Sequence, residues 1–389
     1  MRILFTFAGG SGHFNPLVPL VHAAEAAGHV VAFAGRPWII PVVEAAGFRA
    51  FASGTDVGGT PKRIPLRAFD PEREDRGLRE GFARRIARER ARDIFPLCLE
   101  WQPDLLVCEE MDFGPMVVAE RLGLPHVTVL VIAAGSFVRH ALVAEPLNEL
   151  RAEYGLPPDP ELAMLSRYLV LSPFPPSCRD PAFPLPATGH ALRLPALEST
   201  KGETAPAWAT SLPGAPAVYF TLGTVFSVEC GDLYLRVLKG LRDLPINVIV
   251  TVGRHIDPEE FGPQPGHVQI ERYIPQSLIL PRCQAVISHG GSGSVLGALT
   301  HGLPMVLLPM GADQPLNAAR CEALGLARVL DPVAATPESV RQTVSAVLVD
   351  PSYRRAAERI RDEIAALPGP AHAVTLLEQV AAEKRPLIR

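Results

Sequence analysis

The chain has 389 residues, 48% of them hydrophobic and 20% charged, with a formal net charge of -4. Two domains are the natural expectation for that length, each able to bury a substantial core. The charge balance excludes the basic excess that nucleic acid or an anionic membrane favours, and six widely spaced cysteines without a Cys-x-x-Cys or zinc-like Cys/His spacing predict buried thiols and no metal.

An apolar strand is expected over residues 3–7, running into FAGGSGHFNP (7–16). The glycines, His13, Asn15 and Pro16 break this apolar start, so it reads neither as a signal peptide nor as a spanning helix, and a cytoplasmic protein is expected. A helix follows over 17–27, closed by Gly28, then a strand over 30–34 and a helix over 37–46 closed by Gly47. Residues 53–77 carry turn residues and charges. The arginine-rich stretch 78–101 reads as a helix with Phe82, Ile86 and Phe95 on an apolar face and its arginines in solvent; its position also suits an acceptor-binding wall or lid. The pattern resumes with a strand over 105–108, a helix over 113–122 ended by Gly123, and a strand over 127–131. Strands alternating with helices predict a parallel sheet with right-handed crossovers.

The proline-rich stretch 172–190 and the polar sequence to about 216 read as a linker. A second α/β series follows, with strands over 217–222, 247–252, 285–288 and 305–308. Residues 370–383 read as a helix able to pack on either domain.

Gly10-Ser11-Gly12-His13-Phe14-Asn15 fits two glycines of the dinucleotide fingerprint but fails the third at Asn15, and no acidic residue ends the second strand to hold a ribose. What remains is a strand-to-helix turn with one titratable side chain. From this motif alone His13 is either a general base or a histidine capping the next helix. In SHGGSGSVLGALTHGLP (288–304), Gly290, Gly291 and Gly293 permit close backbone approach while His289, Ser292 and Ser294 supply donors, an anion site at a helix N-terminus suited to a diphosphate. TLGT (221–224) ends another strand similarly, with Thr224 as a further donor. Asp313 beside Gln314 matches the needs of vicinal hydroxyls, although alone the pair would pass for a turn.

Gly12-His13 with Pro16 and Pro19, ERYIPQ (271–276), the HGGSGS turn and ADQPLNA (312–318) occur in an order that resembles the family 1 glycosyltransferases of the GT-B fold. The likeness is greatest to the bacterial enzymes that attach deoxysugars to polyketide and other natural-product aglycones. It implies an α/β protein with two Rossmann-like doubly wound parallel-sheet domains facing across a cleft: residues 1–200 for the acceptor, 201–370 for the donor, and a C-terminal helix over 371–389 packing back on the first. It also implies an inverting transferase with His13 as base. An aspartate often orients that histidine; Glu109 stands at the matching offset here, with Glu110 and Asp112 close enough to compete. Tyr273, with Ile274 and Gln276, is placed to hold the nucleotide base; His289, Gly291, Ser292, Gly293 and Ser294 match the diphosphate cradle; Asp313 and Gln314 match the pair holding the donor sugar. UDP-using members carry a glutamate where this chain has Gly297, so a dTDP-sugar is expected over a UDP-sugar, with no metal and no other cofactor.

The expected partners are this donor and a small hydrophobic aglycone, with neither nucleic acid nor membrane, in a monomer or homodimer. Two other functions remain open at this stage, a sugar-nucleotide epimerase of the same fold and a non-catalytic activator of another transferase. A carbon-glycoside product is a further possibility.

Overall fold

A computed structural model of the chain describes residues 1–56, 63–194, 204–210, 214–224 and 226–389. Among these, seven parallel strands form one sheet: β1 (Arg2–Thr6), β2 (Val30–Gly35), β3 (Ala50–Ala52), β4 (Leu105–Glu109), β5 (His126–Val129), β6 (Val170–Ser172) and β7 (Gly189–Ala191). Their order is β3-β2-β1-β4-β5-β6-β7. The central strands β4 and β5 are buried along their whole length, as strands covered on both faces must be, and β4 is apolar up to Glu109 at its end. Helix Val18–Ala26 packs its Leu20, Val21 and Ala24 against Ile3, Phe5 and Phe33 of the sheet. Helix Pro370–Glu383 joins the same core through Ala373, Val374, Leu377 and Val380, and Glu378 Oε1 lies 3.1 Å from His29 Nε2.

Six further parallel strands form the other sheet: β8 (Ala217–Thr221), β9 (Asn247–Thr251), β10 (Val268–Glu271), β11 (Ala285–Ser288), β12 (Met305–Leu307) and β13 (Ala327–Val329), in the order β10-β9-β8-β11-β12-β13. Val218, Phe220, Val248, Val250, Ile287 and Val306 face a core closed by Val237, Leu241, Val340 and Val344 of two helices.

The chain divides into two compact units, one from Met1–Gly58, Pro71–Leu197 and Ala366–Arg389, the other from Gly59–Asp70 and Glu198–Ala365. The expected domain limit at residue 200 lies outside the described residues. Residues 63–70 belong to the second unit although they precede most of the first: Ile64 N–H donates to the Val228 carbonyl (2.8 Å) and Arg63 pairs with Glu260 (2.7 Å).

Two expectations need correction. Residues 172–190 are not a linker, because their ends lie in β6 and β7, which pair in register Leu171↔His190 and complete the first sheet. Three-residue strands separated by prolines carry no readable alternation. The arginine-rich helix starts earlier, at Pro71, and is not uniform: an α-helical turn (Pro71–Arg76) leads into ten residues of π-helix (Gly77–Ile86) and then α-helix Ala87–Trp101. Its arginines are not all solvated, since Arg90 is completely buried, and Ile94 rather than Phe95 completes the apolar face.

Candidate active site

In both sheets the chain winds outward in two directions from a central pair of strands, β1/β4 and β8/β11. Such switch points open a crevice at the carboxyl ends of the strands, where doubly wound proteins bind ligands. His13 and Glu109 lie at the first of these places and Thr224 and residues 289–294 at the second, whereas Tyr273, Ile274 and Gln276 follow β10 and Asp313 and Gln314 follow β12.

In the first unit the turn after β1 enters a short helical segment, Ser11–Phe14, that carries His13. Strand β4 lies beside β1 in register Thr6↔Cys108, so its last residue, Glu109, arrives at the same crevice. Glu109 Oε2 stands 2.9 Å from His13 Nδ1; the histidine side chain is 23% exposed and the carboxylate fully buried. Backbone donors fix the carboxylate from both ends, with Ala8 N–H to Oε2 (3.1 Å) and Met111 N–H to Oε1 (2.6 Å). Two of the glycines that look like a phosphate-binding turn make room for side chains, Gly9 for the imidazole and Gly10 for Trp38. A Cβ on Gly9 would lie 2.1 Å from His13 Cδ2 and 2.4 Å from Nε2, and one on Gly10 would lie 2.9 Å from the indole of Trp38.

The other acidic candidates are engaged elsewhere. Glu110 accepts from the N–H groups of Val131 and Ile132 (2.6 Å for Ile132), and burial pushes its carboxyl up to about 7. Asp112, expected as a competing partner of His13, is held by Arg90 through two parallel bonds (Nε to Oδ1 3.0 Å, Nη2 to Oδ2 2.6 Å), with both side chains fully buried. Arg90 also donates to the carbonyls of Ala34 (2.9 Å) and Ser53 (3.2 Å). It thereby ties together the ends of β2, β3 and β4. The pair forms because Gly114 lets helix Phe113–Leu122 approach helix Ala87–Trp101 closely: a Cβ there would lie 2.3 Å from the Ala87 carbonyl oxygen. Asp112 is therefore a structural carboxylate. Only the burial of Arg90 could have revealed this, and the sequence gives no signal that separates it from the exposed arginines around it.

In the second unit, β11 ends at Ser288 and helix Ser292–Thr300 begins after His289, Gly290 and Gly291, with Gly291 as an extended N-cap lacking a side-chain cap. The first-turn N–H groups of that helix and its dipole present a positive end. His289 stands between two glycines: a Cβ on Gly291 would lie 2.4 Å from its Nε2, and one on Gly223, after β8, 2.6 Å from the same atom. The residue is half-buried, but its Nδ1 is enclosed without a hydrogen-bond partner, and burial lowers it to about 4. His289 is thus neutral at physiological pH. Thr224, next to Gly223, is exposed, as is Gly293.

Ser292 Oγ donates to Asp313 Oδ2 (2.6 Å), and Asn317 Nδ2 lies within reach of Asp313 Oδ2 (2.7 Å), Ser292 Oγ (3.0 Å) and the Gly290 carbonyl (3.0 Å). Pairing of β11 with β12 brings these distant positions together. Asn317 was not singled out in the sequence, although it stands one helical turn after Asp313. Gln314 departs from expectation. Its Oε1 accepts from the N–H groups of Met310 (2.8 Å) and Gly311 (3.3 Å), so that oxygen braces the turn rather than being open to a sugar. Tyr273 is covered by the Arg254 guanidinium at 4.6 Å, Ile274 is buried, and Gln276 Nε2 is 3.5 Å from Ser294 Oγ. A Cβ on Gly297 would lie 3.0 Å from Gln276 Oε1.

Two doubly wound parallel-sheet units, of seven and six strands, are the architecture of the GT-B glycosyltransferases. Residues 235–380 match the family described as erythromycin biosynthesis protein CIII-like, C-terminal domain. The chain is 30% identical to the 10-deoxymethynolide desosaminyltransferase of Streptomyces venezuelae, over 99% of its own length and 98% of the relative's. It is also 30% identical to the L-demethylnoviosyl transferase of Streptomyces niveus, over 99% of both. A Streptomyces sp. SF2575 glycosyltransferase solved with thymidine diphosphate superimposes with a TM-score of 0.76 at 26% identity, covering 97% of this chain and 99% of that one. The chain belongs to the antibiotic deoxysugar glycosyltransferases of the GT-B fold. Among the described residues no helix is long and apolar enough to cross a membrane.

Proposed function

We propose that this enzyme transfers its deoxysugar from a dTDP-sugar to an aglycone hydroxyl with inversion and without metal, using His13 as general base. The observation that carries this reading is Glu109 Oε2 at 2.9 Å from His13 Nδ1. A buried carboxylate facing Nδ1 favours the tautomer protonated there and leaves the Nε2 lone pair to take a proton. As the acceptor O–H gives its proton to Nε2, its oxygen bonds the anomeric carbon from the face opposite the nucleotide. The bond from that carbon to the diphosphate oxygen breaks, and the diphosphate departs with the electron pair. Glu109 stabilises the imidazolium so formed.

Negative charge growing on the diphosphate is met by the N–H groups that start helix Ser292–Thr300, that of Ser292 included, and by the helix dipole, with Ser294 and Thr224 as hydroxyl donors; the Ser292 hydroxyl proton is committed to Asp313. A neutral His289 serves as a hydrogen-bonding group rather than a cation. Two observations support thymidine over uridine. The similar glycosyltransferase from Streptomyces sp. SF2575 was solved with thymidine diphosphate. Gly297 supplies no ribose acceptor, and a longer side chain there would displace Gln276.

His13→Ala tests the assignment. Turnover should fall by roughly 10²–10⁴ while the thymidine diphosphate dissociation constant, read by calorimetric titration, stays unchanged. Turnover within about threefold of wild type would remove His13 from the mechanism.

A further inference from the structure

Phe82 sits on the π-helical segment Gly77–Ile86, whose widened turn is closed by Ala87 N–H donating to the Phe82 carbonyl. Such segments interrupt α-helices frequently at functional sites. The half-buried Phe82 ring lies nearly parallel to the His13 imidazole, at 15° with centroids 6.2 Å apart. Trp38, on the turn after β2, lies against Gly10 in the same His13-bearing turn, yet 41% of it is exposed. Val42, on the helix that follows, is 43% exposed. Two aromatic side chains therefore adjoin the turn that presents His13, without being fully used in the core.

We infer that Phe82 and Trp38 form an aromatic wall that selects flat phenolic aglycones and presents their hydroxyl to His13. The inference rests on the reading of His13 as base and adds the acceptor class. The imidazole lone pair lies in the plane of its ring, so the acceptor O–H must arrive in that plane. A flat ring stacked on Phe82 lies nearly parallel to the imidazole, and a phenolic O–H lies in the plane of its own ring. Stacking and proton transfer are satisfied by one pose. A puckered macrolactone with aliphatic hydroxyls has no flat face to stack and gains nothing from the parallel arrangement.

The test is fluorescence titration of the whole enzyme with alizarin and umbelliferone, and competition by a macrolactone bearing only aliphatic hydroxyls. Phe82→Leu keeps the apolar bulk and removes the aromatic face; Trp38→Leu does the same beside Gly10. Each should weaken flat-phenol binding roughly two- to tenfold, with macrolactone competition and thymidine diphosphate affinity unchanged. An unchanged thymidine diphosphate affinity and circular dichroism spectrum show that the variants are folded. The inference is overturned if neither flat phenol binds wild type, if the macrolactone binds more tightly, or if both substitutions leave flat-phenol affinity within about twofold. Binding needs no proton transfer, so the two readings separate. An active His13→Ala enzyme with weakened phenol binding in Phe82→Leu would remove the base and leave the wall standing.

Discussion

Glu109→Gln exchanges one oxygen for an NH2 group, and the surroundings of the carboxylate leave that amide no satisfactory orientation. With its oxygen kept toward Ala8 N–H and His13 Nδ1, the NH2 group faces the Met111 N–H, whose carboxylate contact is 2.6 Å. Turned over, it satisfies Met111 but opposes the Ala8 N–H and donates to Nδ1, which moves the ring proton to Nε2 and removes the base. Either way a buried donor is left unmet, at a cost of about 1–3 kcal/mol. At roughly 2–4 °C per kcal/mol for units of this size, the melting temperature should fall by about 2–12 °C. The catalytic loss should be larger in proportion, roughly 10²–10⁴ in kcat, because the turned-over amide converts a base into a donor. Steady-state turnover at saturating donor and acceptor, with thymidine diphosphate affinity as the control, reads this directly. A variant with kcat within about threefold of wild type would refute the argument that this carboxylate orients the base.

Arg90→Met strands the Asp112 carboxylate in the interior and should destabilise the first unit by about 3–5 kcal/mol in urea denaturation, without changing nucleotide affinity; a loss below about 1 kcal/mol would show that the pair is not holding the strand ends. Gly291→Ala places a Cβ 2.4 Å from His289 Nε2 and should displace that ring, weakening thymidine diphosphate binding about tenfold by calorimetry; undiminished affinity would mean that the ring position is immaterial. The folded state holds His289 down to about 4 from an ordinary 6.5, so the unfolded chain binds the extra proton between those values. This contribution, about 3 kcal/mol, is fully present above pH 6.5 and is lost as the pH falls toward 4, so wild type should lose more stability over that window than His289→Gln; parallel curves would contradict the shift.

The strands over 105–108 and 285–288 were legible because parallel strands covered on both faces are apolar throughout, and helix Phe113–Leu122 because Gly123 ends it in a left-handed conformation. Strands β3, β6, β7 and β13 have three residues each, too few to display a period. The strand-to-helix turn after β11 was readable since its glycines, serines and histidine are consecutive; its link to Asn317 was not, because strand pairing rather than spacing makes it. Choosing among Glu109, Glu110 and Asp112 needed the partners each one faces. Three carboxylates within four positions are equivalent on paper, and backbone donors at residues 8, 111, 131 and 132 with one buried guanidinium distinguish them.

Helix Pro370–Glu383 packs beside helix Val18–Ala26, so a core begun near residue 20 is completed only by residues 370–383. At about 5–20 residues per second, ribosomal elongation takes on the order of tens of seconds to deliver the closing helix after its partner has emerged. The second sheet, with all of its strands made in between, has the chance to fold first. Val21 and Ala24 meanwhile wait for Leu377 and Val380, an apolar seam left uncovered until that helix has emerged.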